Sequence, residues 1–257
     1  MKYTEKAIVL ECDEIGTRIF SLRLRTEHIA AAALPGQFVS VYANDSARLL
    51  PRPISICEAD PKSGVLRLVF RIAGQGTKEF SQLKPGESVK ITGPLGNGFP
   101  VDAARGKRVF AIGGGIGIPP MLELSKRLTE DGQDVTAVLG FRDELILLED
   151  FPCRTVIATE DGSRGTKGNV LDAIREIDLD ADVIYACGPI PMLRALKEYA
   201  SEQETECWLS MEEKMACGIG ACLSCVCSST KIDEHSRVRN KRVCTEGPVF
   251  LSTEIIL

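Results

Sequence analysis

Near its C-terminus the chain carries Cys217, Cys222, Cys225 and Cys244, a C-x4-C-x2-C run followed by a distant fourth cysteine. Plant-type [2Fe-2S] clusters are held with this spacing, so an otherwise ordinary sequence is expected to carry electrons. Within the run, the loop MACGIGACLSC from Met215 to Cys225 contains Gly218 and Gly220. These glycines let the backbone turn tightly over inorganic sulfide and point amide N–H groups at it. Structural zinc is the rival reading, but zinc knuckles usually come as two C-x2-C pairs or with histidines, and only His28 and His235 exist here. The same shortage argues against a Rieske centre, which needs two histidine ligands. Cys227, two residues beyond Cys225, is a chemically plausible substitute ligand; the C-x2-C reach favours Cys225, and Cys227 is expected as a buried thiol beside the site.

Composition sets the outer limits. A chain of 257 residues, 44% hydrophobic and 26% charged, suits about two globular domains. A net charge of -5 gives no electrostatic support to a nucleic-acid partner, and the short basic stretch from Arg237 to Arg242 reads as a solvated face. The N-terminal MKYTEKAIVLECDEIG lacks an apolar signal region, and the uncharged run from Val109 to Leu122 is too short and too rich in Gly and Pro to span a bilayer. A cytoplasmic protein with no membrane partner is therefore expected. The ten cysteines are then ligands plus buried thiols rather than disulfides, with Cys12, Cys57, Cys153 and Cys207 as small core residues.

Residues 1–101 read as six short strands, at Ala7–Cys12, Arg18–Leu24, Phe38–Tyr42, Ile54–Cys57, Val65–Arg71 and Ser88–Thr92, separated by turns such as Pro35-Gly36 and Pro85-Gly86. Six strands at that spacing predict a small antiparallel β-barrel. From Lys107 the rhythm becomes strand, turn, helix: VFAIGGG with PPMLELSKRLTEDG, DVTAVLGF with DELILLEDF, RTVIATEDG with VLDAIREID, and ADVIYACGP with MLRALKEYA. That alternation predicts an α/β domain with a parallel sheet over residues 102–206. No periodic helix remains after about Cys207, and residues 207–257 are expected to form a third, metal-stapled lobe.

Several turns have the chemistry of phosphate sites. Strand VFAIGGG runs into Gly113, Gly114, Gly115 and Gly117, and Pro119 and Pro120 stand where a helix would begin. These glycines would let a diphosphate approach a helix N-terminus, although a glycine-rich turn out of register with GxGxxG also serves tight packing. A second turn, Cys187-Gly188-Pro189, closes the last strand of the same sheet, so both lie at the carboxyl edge where open α/β sheets bind ligands. Glu160 and Asp161 end the third strand; they would suit a ribose diol and repel a 2'-phosphate, and are equally ordinary loop charges. In the barrel, Arg52-Pro53-Ile54-Ser55 offers a guanidinium fork for phosphate and a hydroxyl for a flavin heteroatom. Gly76-Thr77 precedes KEFSQL, which reads as a short helix capped by Thr77. Two anion-competent elements in one barrel suit a flavin diphosphate. Met121, Met192 and Met215 are expected in the core.

RPIS in a barrel, GxGT downstream, GGGIGIPPM opening a nucleotide domain and CGPxPM closing it resemble the ferredoxin-NADP reductase superfamily. With MACGIGACLSCVC and the CTEGPVF ending, the chain is similar over essentially its whole length to one branch, the electron-transfer subunits of B-type, NAD-linked dihydroorotate dehydrogenase. The resemblance implies FAD contacts at Arg52, Pro53, Ile54, Ser55, Val69, Phe70, Arg71, Gly76 and Thr77, and cluster ligation by Cys217, Cys222, Cys225 and Cys244. It places the nicotinamide near Cys187, whose other reading is simple packing. It further implies electron flow from an FMN-containing catalytic subunit through [2Fe-2S] and FAD to NAD+, in pyrimidine synthesis, within a heterotetramer of two copies of each subunit. No residue reads as a substrate base, so no catalytic side chain is expected. The alternative is an electron-transfer subunit of another NAD(P)H-linked flavin and iron-sulfur oxidoreductase, such as a ferredoxin-NADP reductase, a sulfhydrogenase or a sulfite reductase.

The cysteine spacing predicts about two irons and two acid-labile sulfides per chain after anaerobic purification. Cys222→Ser should lose most of that iron and the electron paramagnetic resonance (EPR) signal of the reduced cluster, whereas Cys227→Ser should keep both. Full retention of iron in the Cys222 variant would exclude that residue as a ligand.

Overall fold

Period-two burial builds the first part of the chain. In β1 (Tyr3–Gly16), β2 (Ile19–Arg25), β3 (Phe38–Val41), β4 (Arg52–Asp60) and β5 (Val65–Arg71), inward side chains such as Val9, Leu22, Leu24, Leu66 and Leu68 are buried. They meet Val89 and Ile91 from β6 (Ser88–Leu95) in one apolar interior. The strands close in the order β1-β2-β5-β4-β3-β6, every neighbour antiparallel, which removes any exposed edge. This computed structural model describes all 257 residues except 46, 143, 179 and 233–236, so His235 lies outside the described residues.

Two short helices flank the barrel, α1 (Ile29–Ala32) and α2 (Gln75–Phe80). The second begins earlier than the sequence suggested. Gly74 is its N-cap and Thr77 is its third residue, from which Oγ1 reaches back to accept the amides of Ala73 and Gly74 at 2.9 and 3.1 Å.

The expected α/β alternation follows: β7 (Arg108–Gly114), α3 (Ile118–Glu130), β8 (Asp134–Phe141), β9 (Arg154–Thr159), β10 (Thr166–Lys167), α4 (Val170–Ile177), β11 (Val183–Cys187) and α5 (Ile190–Glu202). Pro119 and Pro120 open α3, where their missing N–H groups cost nothing. The helix expected over DELILLEDF does not form. Leu147 adopts a left-handed φ of 60°, Ile146 and Phe151 turn into the core, and only a 3-10 turn at Leu148–Asp150 remains; Asp143, at the start of that stretch, is not among the described residues.

Sheet order is β10-β9-β8-β7-β11 and then two strands from the C-terminal part of the chain, β12 (Glu206–Ser210) and β15 (Val249–Leu251). β12 continues the parallel pairing and β15 returns antiparallel against it. The lobe expected over residues 207–257 thus contributes both of these strands to the sheet. Between them a two-stranded ribbon pairs β13 (Val226–Ser228) with β14 (Asn240–Arg242). No helix of the described residues is long and apolar enough to cross a membrane.

Barrel and sheet share one apolar layer, in which Ile19, Cys57, Val69 and Phe99 pack with Met121, Leu122 and Leu139. Charges pin the same face. Arg67 on β5 donates to Glu58 at 2.6 Å and to Asp150 at 2.7 Å, Lys126 of α3 also pairs with Glu58, and Glu123 accepts the amide of Ala59. Only 11% of the Arg67 side chain is exposed, so this network is better shielded from solvent than an ordinary surface pair. Arg67→Ala should cost about 2 kcal/mol by leaving two carboxylates without their shared partner, a fall in melting temperature of about 4–8 °C by calorimetry. An unchanged melting temperature would show that the network contributes nothing to the docking of barrel on sheet.

Candidate functional site

The segment after β12 turns twice through left-handed glycines, Gly218 at φ +68° and Gly220 at φ +87°. Space is tight as well: a Cβ on Gly218 would sit 2.8 Å from Ser40 Oγ and one on Gly220 2.8 Å from Thr245 Cγ2. This path aims the amides of Ile219 and Ala221 at Cys217 Sγ, 3.5 and 3.2 Å away, while the Cys244 amide donates to Cys225 Sγ at 3.4 Å. Desolvation opposes a thiolate at Cys217, but the amides of Ile219, Cys222 and Ala221 outweigh it and bring the thiol down to about 6. Cys244 is pushed up to about 12 by burial and by the neighbouring Cys225.

The four thiols lie as two neighbouring pairs, Cys217 beside Cys222 and Cys225 beside Cys244. Among the described residues no three His, Cys, Asp or Glu side chains converge as one bound ion would need. Two pairs suit two irons, each taking two thiolates. Amides directed at sulfur and crowded thiols that a positive centre would relieve both fit a cluster. Cys222 is exposed, whereas Cys225 and Cys244 are buried. Cys227 sits on β13 facing the core, with Glu213 and Lys241 as its charged neighbours.

A cavity of about 410 Å³ opens between the barrel and this segment, within the size range of cofactor sites. Arg52, Pro53, Ile54 and Ser55 line it from β4, Val69, Phe70 and Arg71 from β5, and Thr77 from α2. Gly76 stands behind them. A Cβ there would fall 2.3 Å from Arg52 Nε, so the glycine makes room for the guanidinium. The opposite wall comes from Ile116 and from Met211, Glu212, Glu213, Met215 and Pro248. Met215 therefore belongs to a cavity wall as well as to the core margin.

A second cavity, about 490 Å³, lies over the carboxyl ends of β7, β8, β9 and β11, at the point where the strand order reverses. Gly114, Gly115, Glu160, Gly188 and Pro189 line it, joined by Arg142, Asn169 and Met192. Gly113, Gly117, Cys187 and Asp161 do not. A Cβ on Gly113 would meet the Ile118 backbone at 2.9 Å and one on Gly117 the Cys187 carbonyl at 2.3 Å, so both allow α3 to approach the sheet. Cys187 is 1% exposed, and burial pushes its thiol up to about 12. Asp161 accepts the amide of Ser163 at 2.9 Å and shapes the turn. Glu160 has Arg142 4.0 Å away, both largely exposed.

Arg71, Ile116 and Glu212 line both cavities, which makes the two spaces neighbours across a single layer of side chains. Burial raises the Glu212 carboxyl above its ordinary range. Sequence reasoning had singled out Arg71 but neither of the others. Ile116 sits inside the GGGIGI turn and was readable there as the one bulky residue among glycines. Glu212 had no local signal, because its place depends on β12 ending at this sheet edge.

Residues 9–99 match the family described as oxidoreductase FAD-binding domain, and residues 212–256 match the iron-sulfur cluster binding domain of dihydroorotate dehydrogenase B. The chain is 43% identical, over 100% of both chains, to the dihydroorotate dehydrogenase B (NAD(+)) electron transfer subunit of Geobacillus sp. (strain WCH70). It is 45% identical to that of Bacillus caldolyticus over 95% of each chain. Among solved structures, the NADH-dependent reduced ferredoxin-NADP oxidoreductase superposes with a TM-score of 0.84 at 26% identity, covering 97% of this chain and 89% of the other. The ferredoxin reductase of carbazole 1,9a-dioxygenase shares the fold at TM-score 0.66 and 21% identity, over 79% of this chain and 67% of that one. Relatives at 43% and 45% identity, matched over 95% or more of both chains, show that the chain belongs to the family of dihydroorotate dehydrogenase B (NAD(+)) electron transfer subunits.

Proposed function

We propose that the barrel-side cavity holds FAD, that Cys217, Cys222, Cys225 and Cys244 hold a [2Fe-2S] cluster, and that the sheet-side cavity holds NAD. The partner is an FMN-containing dihydroorotate dehydrogenase catalytic subunit, in a heterotetramer of two copies of each. The chain is the NAD-linked electron-transfer subunit: electrons taken from dihydroorotate by the partner leave as NADH, a step of pyrimidine biosynthesis. The observation that carries this reading is the shared wall of Arg71, Ile116 and Glu212 between the two cavities, with Met215 of the cysteine loop also lining the first. Bound flavin supplies the exchange between single electrons and a hydride.

The protein's own residues bind, orient and shield. The Arg52 guanidinium binds the FAD diphosphate, and Thr77, whose hydroxyl is engaged with the α2 start, holds that backbone for it. Pro53, Ile54, Ser55, Val69, Phe70 and Arg71 form the flavin bed, and Ile116 keeps water from the contact with the nicotinamide. Gly114, Gly115, Gly188 and Pro189 give the dinucleotide a close backbone approach, while Glu160 accepts from its ribose diol. Gly113, Gly117 and Cys187 support that floor through packing, and Asp161 through its turn. On this reading the oxidation of dihydroorotate belongs to the partner. The other reading, a subunit of a ferredoxin-linked oxidoreductase, has the solved relative at 26% identity in its favour, well below the 43% of the dihydroorotate-linked relatives.

Arg52→Ala should weaken FAD binding about tenfold or more, since a charge-assisted bond of about 1.5–3 kcal/mol is lost. Gly76→Ala should weaken it in the same direction by displacing the guanidinium; unchanged flavin affinity in both would remove Arg52 from the site. The kcat/KM for NADH should exceed that for NADPH, and Glu160→Gln should narrow the gap. A wild-type preference for NADPH would overturn the role of Glu160.

The partner is tested by co-purification with the candidate catalytic chain and assay of NAD+-linked orotate formation. The mixture should turn over, this chain alone should not, and Cys225→Ser should abolish the coupled reaction. Dihydroorotate oxidation by this chain alone, or full coupled turnover in a variant shown to lack iron, would contradict the assignment.

A further inference from the structure

Thr245 follows the fourth cysteine, in the turn after β14, where its amide donates to the Arg242 carbonyl at 3.2 Å. Its Oγ1 is sealed from solvent and has no hydrogen-bond partner among the described residues. Buried hydroxyls are seldom left in that state, because the lost hydration is not replaced. Ser125 and Thr129 are the other two cases among the described residues, and both lie on α3, away from the cysteines. The Thr245 side chain packs against Gly220: a Cβ on that glycine would lie 2.8 Å from Thr245 Cγ2 and 3.2 Å from Oγ1. Gly220 is in the turn between Cys217 and Cys222. The idle hydroxyl therefore lies against the turn between Cys217 and Cys222, on the residue next to Cys244.

We infer that Thr245 Oγ1 donates a hydrogen bond to a sulfur of the cluster and thereby raises the cluster's reduction potential. The inference rests on the assignment of the four cysteines as ligands. When the cluster takes up one electron, negative charge builds on its sulfurs, so a donor aimed at them stabilises the reduced form more than the oxidised form. The amides of Ile219 and Ala221 already serve Cys217. Thr245 would be the side-chain donor, and so the one a single substitution can remove.

The test is a redox titration of the full, FAD- and cluster-loaded chain, followed by the EPR signal of the reduced cluster, for wild type, Thr245→Val and Thr245→Ser. Thr245→Val should hold about two irons per chain and disfavour reduction about tenfold, a fall of about 59 mV for a one-electron couple. Thr245→Ser should titrate with wild type. The iron-free Val variant should unfold at no lower temperature than the iron-free wild type, because the hydroxyl has no protein partner to lose. Equal midpoints for Val and wild type, or a less stable iron-free Val variant, would overturn the inference. Should the Val variant fail to take up iron, Thr245→Ala is titrated under the same criteria. A wild-type chain that binds no iron would instead overturn the cluster assignment and the inference with it.

Discussion

The pairing of β15 against β12, Trp208 with Leu251, Leu209 with Phe250 and Ser210 with Val249, is the constraint on which the rest of the arrangement depends. It fixes both ends of the cysteine-bearing segment at one edge of the sheet. Whatever that segment does in between must happen beside the carboxyl ends of the strands. Asn97, at the end of the barrel, then ties down the return path by donating its side chain to the Glu246 carbonyl. The cysteine loop is wedged at the junction of barrel and sheet, and Met211, Glu212 and Met215 become walls of the cavities there. Without the antiparallel return, the four cysteines would sit on a lobe with no fixed relation to either cavity.

A second constraint is closeness of backbone at the sheet's switch point. Gly113 and Gly117 bring α3 against β7 and β11, and Gly114 and Gly188 leave room for Met192 and for a ligand above it. Ile116 is the bulky exception in this glycine run and stands between the two cavities. The Arg67 network and the apolar layer around Met121 hold the barrel face at a fixed distance from that residue. Packing and charge together set how near the two cavities come to each other across the wall of Arg71, Ile116 and Glu212.

The six barrel strands were legible because alternating burial and Pro-Gly or Ser-Gly turns are local signals, and the glycine-proline turns and cysteine spacing were legible for the same reason. Tertiary packing decided what local pattern could not. DELILLEDF has helical residues, yet Ile146 and Phe151 were needed in the core and Asp150 beside Arg67, so the chain broke at Leu147. β12 reads as part of the third lobe until its parallel partner β11 is known. Thr77 was read as a cap because a threonine before a short helix usually is one; Gly74 took that place, and the threonine reached back from within. Glu160 and Asp161 read alike, and only the turn made by Ser163 separates the one that lines the cavity from the one that does not.

The central claim is that the flavin and nicotinamide sites of this single chain meet across one layer of side chains. The most direct measurement is anaerobic mixing of the loaded chain, with no other protein present, with NADH while the flavin absorbance is followed. The account predicts that the oxidised flavin band bleaches. A band that persists while NADH is shown to be bound would contradict it.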